Sequence, residues 1–316
     1  MTATTNRLSE LTAPRTSDVV VGPALDCGPG QVVMRVLLNG VCASELPVWA
    51  AGPAPQSAVT LGHEPVGEVV EVGPGVESVS VGDLATGRVE NSFSDYAVAA
   101  SRDLVAVPAG LTPQAALGEP LGCVVETLRR RPVDVGDRVA VVGAGFMGLC
   151  LLQLLRHTPT SEVVAIDPRA DARSHALEHR AGSAIDPADV AANIDERPQA
   201  QFDLVVEASG TQPGLDLSSR LVRSHGTLAI MGYHQAPRVV DVGLWNWRAI
   251  DVFNAHVRDR DRLRNNTARG LAMAAAGRID PGALVTHRYP LEEIDRAFTA
   301  LADKGPGFIK AVIDIT

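Results

Sequence analysis

Residues 138–148 read Arg-Val-Ala-Val-Val-Gly-Ala-Gly-Phe-Met-Gly and carry the clearest indication of the fold class. The run Arg138–Val142 is mostly β-branched and apolar, which predicts a buried strand. A G-x-G-x-x-G motif follows at once, and the helix-compatible residues 147–156 come after it. Strand, glycine turn and helix in this order are typical of a site where the pyrophosphate of a dinucleotide meets a helix N-terminus.

The positions of the glycine motif have separate predicted tasks. Gly143 permits the tight turn, Gly145 lets the backbone approach a pyrophosphate, and Gly148 allows the helix to pack closely on the strand. Phe146 and Met147 complete the predicted cofactor-binding turn.

An acidic residue ends the next predicted strand. Asp167 closes the run 163–167, where a carboxylate accepts hydrogen bonds from the adenosine ribose hydroxyls and repels a 2′-phosphate. Asp167 therefore predicts NAD rather than NADP. Arg169 lies close by and would tolerate a 2′-phosphate, so NADP stays the alternative.

The pattern of predicted secondary structure changes near residue 112. Before it, short β-type runs separated by Gly and Pro predict an all-β part; they lie at 32–38, 66–72, 95–99 and 104–107. After it, strands predicted at 163–167, 202–207, 227–231 and 249–253 alternate with helix-compatible stretches, as in a doubly wound parallel sheet. A last β-type run at 308–313 follows a helical stretch and is expected to rejoin the β-rich part. The prediction is an α/β protein with a β-rich catalytic domain at 1–112, a nucleotide domain at 113–258 and a return segment at 259–316.

Composition limits the partners. The chain has 316 residues and a formal net charge of −9, which leaves no excess of Lys and Arg for nucleic acid or an anionic membrane surface. The longest apolar run, 139–155, contains glycines and a Gln and is interpreted as strand, turn and helix rather than as a membrane span. The four cysteines are scattered without pair spacing and the N-terminus lacks an apolar signal core, which predicts a cytoplasmic protein with reduced thiols.

Two motifs in the β-rich half carry a family resemblance. They are Gly40-Val41-Cys42-Ala43-Ser44-Glu45 and Gly62-His63-Glu64-Pro65-Val66-Gly67. With the glycine motif they resemble the zinc-dependent medium-chain dehydrogenases/reductases, the alcohol dehydrogenase superfamily, and among these the polyol (sorbitol) dehydrogenases. The resemblance implies a GroES-like catalytic domain and a Rossmann domain.

The resemblance also implies a metal site. Cys42 and His63 match zinc ligands, Glu119 falls where polyol-type members place a third ligand, and Glu64 matches a residue that can enter the coordination shell. One thiolate, one imidazole and one carboxylate leave a fourth tetrahedral position open, as a catalytic zinc requires. The cysteine-rich lobe of many members is absent after Gly82-Asp83, so one catalytic zinc and no structural zinc are expected per chain.

The chain departs from the family pattern beside Cys42. Glu45 stands where the family has Asp, and Pro47 stands where many members have a proton-relaying histidine. Ser44 is therefore the expected carrier of the hydroxyl proton.

Four further residues each allow two interpretations. Trp49 matches a pocket tryptophan or is a buried core aromatic, and Tyr233 and His234 line a substrate pocket or belong to a loop surface. Lys310 matches a basic residue near the cofactor pyrophosphate or is a surface lysine.

The resemblance predicts a zinc- and NAD-dependent oxidoreductase that acts on a secondary alcohol or its ketone, such as a polyol, sugar or cyclitol, as a homodimer or homotetramer. Two alternatives stay open: a zinc-free, NADPH-dependent reductase of the same superfamily, and a catalytically silent binding protein. The presence of Cys42, His63 and Glu119 counts against the first.

Overall fold

A computed structural model describes residues 5–55, 57–179, 181–191 and 201–315. The chain divides into two compact units, one formed by the residues up to 122 with those from 258 onward, the other by residues 123–257. The first boundary was predicted at residue 112, whereas the two units meet between residues 122 and 123, inside a helix. The start of that helix packs in the first unit, where a Cβ on Gly118 would lie 2.6 Å from a methyl carbon of Thr86.

In the part of the second unit that the structure describes, six parallel strands form one sheet in the order β10-β9-β8-β11-β12-β13. The strands are β8 (Arg138–Val142), β9 (Glu162–Ile166), β10 (Ser183–Ile185), β11 (Phe202–Glu207), β12 (Val222–Ile230) and β13 (Asp251–Asn254). The helices of this unit are α3 (Phe146–Leu155), α4 (Ala170–Glu178), α5 (Pro187–Ala191), α6 (Gln212–Leu221) and α7 (Val242–Arg248), while α2 (Gly118–Arg130) crosses the unit boundary. The strand order reverses between β8 and β11, and dinucleotides bind at such a switch point in doubly wound sheets.

The first unit is built on antiparallel strands. A hairpin of β1 (Thr5–Ala13) and β2 (Thr16–Pro23) accompanies a sheet in which β14-β15-β3-β4-β5-β7 lie side by side and β6 pairs with β3. These strands are β3 (Gln31–Gly40), β4 (Pro65–Val72), β5 (Leu84–Gly87), β6 (Tyr96–Ala100), β7 (Leu104–Ala106), β14 (Val285–Pro290) and β15 (Lys310–Asp314). The helices are α1 (Leu46–Ala51), α8 (Arg260–Ala275) and α9 (Ile294–Asp303). The last strand, β15, pairs with β3, so the C-terminal segment is part of this sheet.

Trp49 belongs to the hydrophobic core of the first unit. Its indole is 3% exposed and stacks on Phe298 of α9 with ring centroids 5.4 Å apart. The indole N–H donates to Asp295 Oδ1 at 2.7 Å, which satisfies its polar atom. The side chain of Trp49 thus packs from α1 against α9 in the core, and its role in a substrate pocket stays a prediction.

The fold class predicted from the sequence is confirmed: a β-rich unit accompanies a doubly wound parallel sheet. Within the described residues, no helix combines the length and the apolar character that a bilayer span requires.

Candidate active site

The end of β3 and the start of β4 bring the two predicted metal-binding motifs together. These strands pair antiparallel, with Asn39 opposite Pro65, and the Gly40 N–H donates to the Glu64 carbonyl at 3.2 Å. Cys42, just after β3, therefore lies beside His63 and Glu64, just before β4. The pairing register joins residues that are separated by a loop in the sequence.

Cys42, His63 and Glu64 form a group with the chemistry of a zinc site. One ligand atom of each, the thiol sulfur, a ring nitrogen and a carboxylate oxygen, lies within 4.8 Å of the other two. Zinc binds this donor set readily, and three protein ligands leave one tetrahedral position for another oxygen. The donor types and their spacing thus fit a catalytic zinc ion.

Glu45 orients His63 from the side. Its Oε1 accepts the Gly62 N–H at 2.6 Å and lies 3.2 Å from His63 Nδ1. A carboxylate at Nδ1 fixes the ring so that Nε2 is left for a metal. Burial lowers the pKa of His63, but its hydrogen bonds to Cys42 and Glu45 outweigh burial and raise that pKa to about 12.

Glu64 is held by a buried lysine. Lys310 Nζ lies 2.6 Å from Glu64 Oε2 and also donates to the Val41 carbonyl at 3.0 Å. Burial raises the pKa of Glu64, but the charges of Lys310 and His63 outweigh burial and hold it below its usual value. The pair also needs Gly40, because a Cβ at that position would lie 2.0 Å from Glu64 Oε2. The fixed carboxylate is thus presented to Cys42 and His63.

We expect Lys310→Met to lower the free energy of unfolding of the zinc-free protein by about 3–5 kcal/mol, because it leaves the Glu64 carboxylate buried without its cation. Chemical denaturation of both proteins measures this difference. Lys304→Met is the matched control, since residue 304 is exposed and its replacement should change stability little. Equal stability of Lys310→Met and wild type would show that the pair contributes nothing.

Glu119, predicted as the third ligand, is not in the group with Cys42 and His63. It lies buried in the first turn of α2. Burial and the nearby Glu64 charge raise the pKa of Glu119 to about 7. The structure thus brings Glu64 beside Cys42 and His63, and the role of Glu119 as third ligand stays a prediction.

Ser44 lies beside the thiol of Cys42. Its hydroxyl donates to Cys42 Sγ at 3.3 Å from a short 3₁₀ turn, Ala43–Glu45. Pro47 occupies the first turn of α1, which follows this turn directly. Ser44 is thus the hydroxyl that the structure places at the metal group.

The glycine turn in the second unit has the geometry that its sequence predicts. Gly143 has φ +106°, and Gly148 must lack a Cβ because one would lie 2.0 Å from the Gly143 carbonyl oxygen. A Cβ on Gly145 would meet no atom within 4 Å, so this backbone is open to a ligand. Phe146 and Met147 begin α3, whose N-terminal N–H groups can bind phosphate. The turn fits a dinucleotide pyrophosphate.

Asp167 follows β9 and is tied to the glycine turn. Its Oδ2 accepts the Ala144 N–H at 2.9 Å and its Oδ1 accepts the Arg169 N–H at 2.9 Å. Arg169 Nε lies 3.8 Å from the same Oδ1. The carboxylate therefore fixes the turn as well as supplying acceptors for a ligand.

The remaining predicted residues are placed as follows. Tyr233 is partly exposed and packs edge-to-face on His256, with ring centroids 5.8 Å apart. His234 binds Glu207, whose carboxylate is fully buried. Lys310 is the partner of Glu64 in the first unit, and its role at the pyrophosphate stays a prediction. The contact of Glu45 with His63 and that of Lys310 with Glu64 were not predicted from the sequence.

Two family models match the chain. The Alcohol dehydrogenase GroES-like domain matches residues 28–109, and the Zinc-binding dehydrogenase model matches residues 147–272. Among curated proteins, sorbitol dehydrogenase of Gallus gallus is 29% identical to this chain, and the alignment covers 87% of this chain and 87% of that protein. L-threonine 3-dehydrogenase of Pyrococcus horikoshii is 25% identical, and the alignment covers 86% of this chain and 88% of that protein.

Solved structures share the fold over nearly the whole chain. An alcohol dehydrogenase from Escherichia coli CFT073 in complex with NADH has a TM-score of 0.88 at 19% identity, covering 99% of this chain and 100% of that one. A protein from Sinorhizobium meliloti 1021, described as a zinc-binding dehydrogenase bound to NADP, has a TM-score of 0.84 at 21% identity, covering 99% and 100%.

Proposed function

The chain belongs to the zinc-binding medium-chain dehydrogenase/reductase superfamily and is an oxidoreductase of the alcohol dehydrogenase type; from this premise we propose that it is a zinc- and NAD-dependent dehydrogenase of a secondary alcohol. The grouping of the Cys42, His63 and Glu64 donor atoms within 4.8 Å carries the proposal. A bound nicotinamide would supply the hydride acceptor for the substrate carbinol carbon, or the hydride donor in the reverse direction.

The residues of the first unit have separate proposed roles in metal binding, ligand positioning and proton transfer. Cys42, His63 and Glu64 hold zinc, which when bound acts as a Lewis acid on the substrate oxygen and lowers the pKa of its hydroxyl. Glu45 fixes the imidazole and Lys310 fixes the Glu64 carboxylate, so the donor atoms are held in place before the metal binds. Ser44 accepts the hydroxyl proton and passes it toward solvent.

The substrate we propose is polyol-like. The relatives are named for sorbitol and for L-threonine, two substrates that carry a secondary hydroxyl beside other polar groups. A polyol, sugar or cyclitol, or the corresponding ketone, shares that chemistry. We expect a homodimer or homotetramer in solution.

A zinc-free reductase of the same superfamily fits this site less well. Such an enzyme has no use for a thiol, an imidazole and a carboxylate gathered in one place, with a second carboxylate on the imidazole. The buried Glu64–Lys310 pair adds an ionic cost that a metal-free site has no reason to carry.

We predict one zinc ion per chain, because among the described residues one group of His, Cys and acidic ligands meets the spacing of a metal site. Elemental analysis after gentle purification measures the zinc. Screening polyols and simple secondary alcohols for NADH formation tests the activity. A Cys27→Ser variant is the control and should keep its zinc, because Cys27 lies outside the group. Two zinc ions, or none, would contradict the proposal.

We expect Asp167→Ala to weaken NAD binding by about 10- to 100-fold, since charge-assisted hydrogen bonds contribute about 1.5–3 kcal/mol. NADP binding should weaken less, because the variant also loses the charge that repels a 2′-phosphate. Titration with NADH and NADPH gives both dissociation constants.

Asp167→Asn separates the two effects. The amide oxygen still accepts the Ala144 N–H and keeps the turn, but the negative charge is gone. We expect this variant to improve the relative binding of NADPH. A wild-type preference for NADPH, or an unchanged ratio in Asp167→Asn, would refute the role of this carboxylate in cofactor choice.

A further inference from the structure

A buried carboxylate at the end of β11 has no part in the functions described so far. Glu207 is fully buried, and its Oε1 accepts the Ser209 N–H at 2.7 Å, the Ser209 hydroxyl at 2.6 Å and the Gly210 N–H at 2.9 Å. The carboxylate therefore holds the turn that follows its own strand. Its second oxygen is free for another partner.

That partner is His234, from the loop after β12. His234 Nε2 lies 2.8 Å from Glu207 Oε2, and Arg238 Nε donates to His234 Nδ1 at 3.0 Å. Because the guanidinium only donates, Nδ1 must be the acceptor and the ring proton must be on Nε2. The imidazole is neutral, and both of its nitrogens are engaged.

Arg238 closes the network on the same turn. A terminal nitrogen of its guanidinium donates to the Gly210 carbonyl at 2.9 Å. The hydrogen bonds thus run from Gly210 to Glu207, from there to His234 and Arg238, and back to Gly210. The turn 207–210 is held at both its N–H and its C=O groups.

This turn lies against the glycine turn of the nucleotide site. Glu207 pairs with Val142, and the Ala208 N–H donates to the Val142 carbonyl at 2.7 Å. The approach is so close that a Cβ on Gly143 would lie 2.7 Å from the Ser209 backbone nitrogen. The strands that end here, β8 and β11, are those between which the strand order reverses.

We propose that His234 is a positioning residue for the dinucleotide site: its neutral imidazole links Arg238 to Glu207 and so fixes the turn 207–210 against Gly143. Both ring nitrogens are already used in this network, and the role of His234 in a substrate pocket stays a separate prediction. The inference rests on the proposed function, since it assumes that a nicotinamide dinucleotide binds at this turn.

The test is the affinity of His234→Ala for NADH and NADPH, titrated by fluorescence without alcohol. We expect the dissociation constant of each dinucleotide to rise about tenfold or more, because the variant loses a buried hydrogen bond to the charged Glu207 that fixes the turn. Zinc content and kcat at saturating cofactor should stay unchanged, whereas a general loss of structure would lower both. His175→Ala is the matched control, because this histidine of the same unit pairs with Glu178 on α4. Unchanged affinity in folded His234→Ala overturns the inference.

Two more variants test the network itself. Arg238→Gln should weaken NADH binding to a similar extent, and the double variant should lose no more than either single one, because all three break one network. His234→Gln keeps one donor and one acceptor and should restore most of the affinity. Additive losses would overturn the proposal, and Arg238→Gln decides the matter if His234→Ala fails to fold. A wild-type protein that binds neither NADH nor NADPH would instead refute the proposed function.

Discussion

Replacement of Cys42 by alanine is expected to lower kcat/KM for alcohol oxidation by at least about a thousandfold, since metal Lewis acids supply several kcal/mol to such reactions. The variant removes the sulfur donor of the group and leaves His63 and Glu64 as two ligands. Zinc content and NADH formation, measured on the same preparation, should fall together.

The same variant should remain folded. The core of the first unit is built from residues such as Phe93 and Phe298, and the thiol of Cys42 is not part of that cluster. Cys123→Ala is the control, because Cys123 lies outside the metal group. Global unfolding of Cys42→Ala would contradict a catalytic metal and indicate a structural one. Activity retained in the zinc-free variant would support the zinc-free reductase.

The glycine turn of the second unit could be predicted because much of its information is local. Gly143 and Gly148 are required by a backbone angle and by contacts within a few residues of each other, so the motif alone predicts the turn. Its strand, β8, has the predicted bounds, Arg138–Val142. Much of this turn is therefore determined by neighbouring residues, although Asp167 and Ser209, which lie farther along the chain, also pack on it.

The partners of the metal group could not be predicted in the same way. Lys310 reaches Glu64 because β15 pairs antiparallel with β3, and no spacing in the sequence encodes that register. For the same reason, the sequence did not separate Glu64 from Glu119 as the third ligand. Both are carboxylates in matching motifs, and the β3–β4 pairing brings Glu64 beside His63.

The N-terminal hairpin was missed because its strands lack clear apolar alternation. Strand β1 carries Arg7 and Glu10 among its apolar residues, so its sequence resembles a polar segment. The structure compensates with long-range ion pairs, including Arg7 to Asp95 at 2.9 Å. Such a strand is stabilised by partners far along the chain, which periodicity does not detect.

Ser44→Ala is expected to lower kcat/KM for alcohol oxidation by about 10² to 10⁴, the usual contribution of a general acid–base group. With Pro47 in the first turn of α1, no histidine side chain projects from that position to relay the proton. The Ser44 hydroxyl lies 3.3 Å from Cys42 Sγ, at the metal group, where it can carry the proton. Ser44→Thr keeps a hydroxyl and should preserve most of the activity.

A structural role for Ser44 predicts a different pattern. If the hydroxyl only orients the Cys42 sulfur through its hydrogen bond, then Ser44→Ala lowers zinc affinity and activity recovers when zinc is added. Proton transfer predicts instead a rate loss at full zinc occupancy.

Pro47→His tests the proton relay by adding a proton carrier instead of removing one. If proton transfer limits turnover, the added imidazole should speed oxidation near neutral pH and introduce an ionisation near the ordinary histidine pKa of about 6.5. The pH profile of kcat/KM for the variant and for wild type measures this, and in Pro47→His the loss caused by Ser44→Ala should shrink because a second carrier is present. Folded, zinc-loaded Ser44→Ala with unchanged kcat/KM would refute the relay, and the proton would then have to leave through water or through a carboxylate that lies at the metal group.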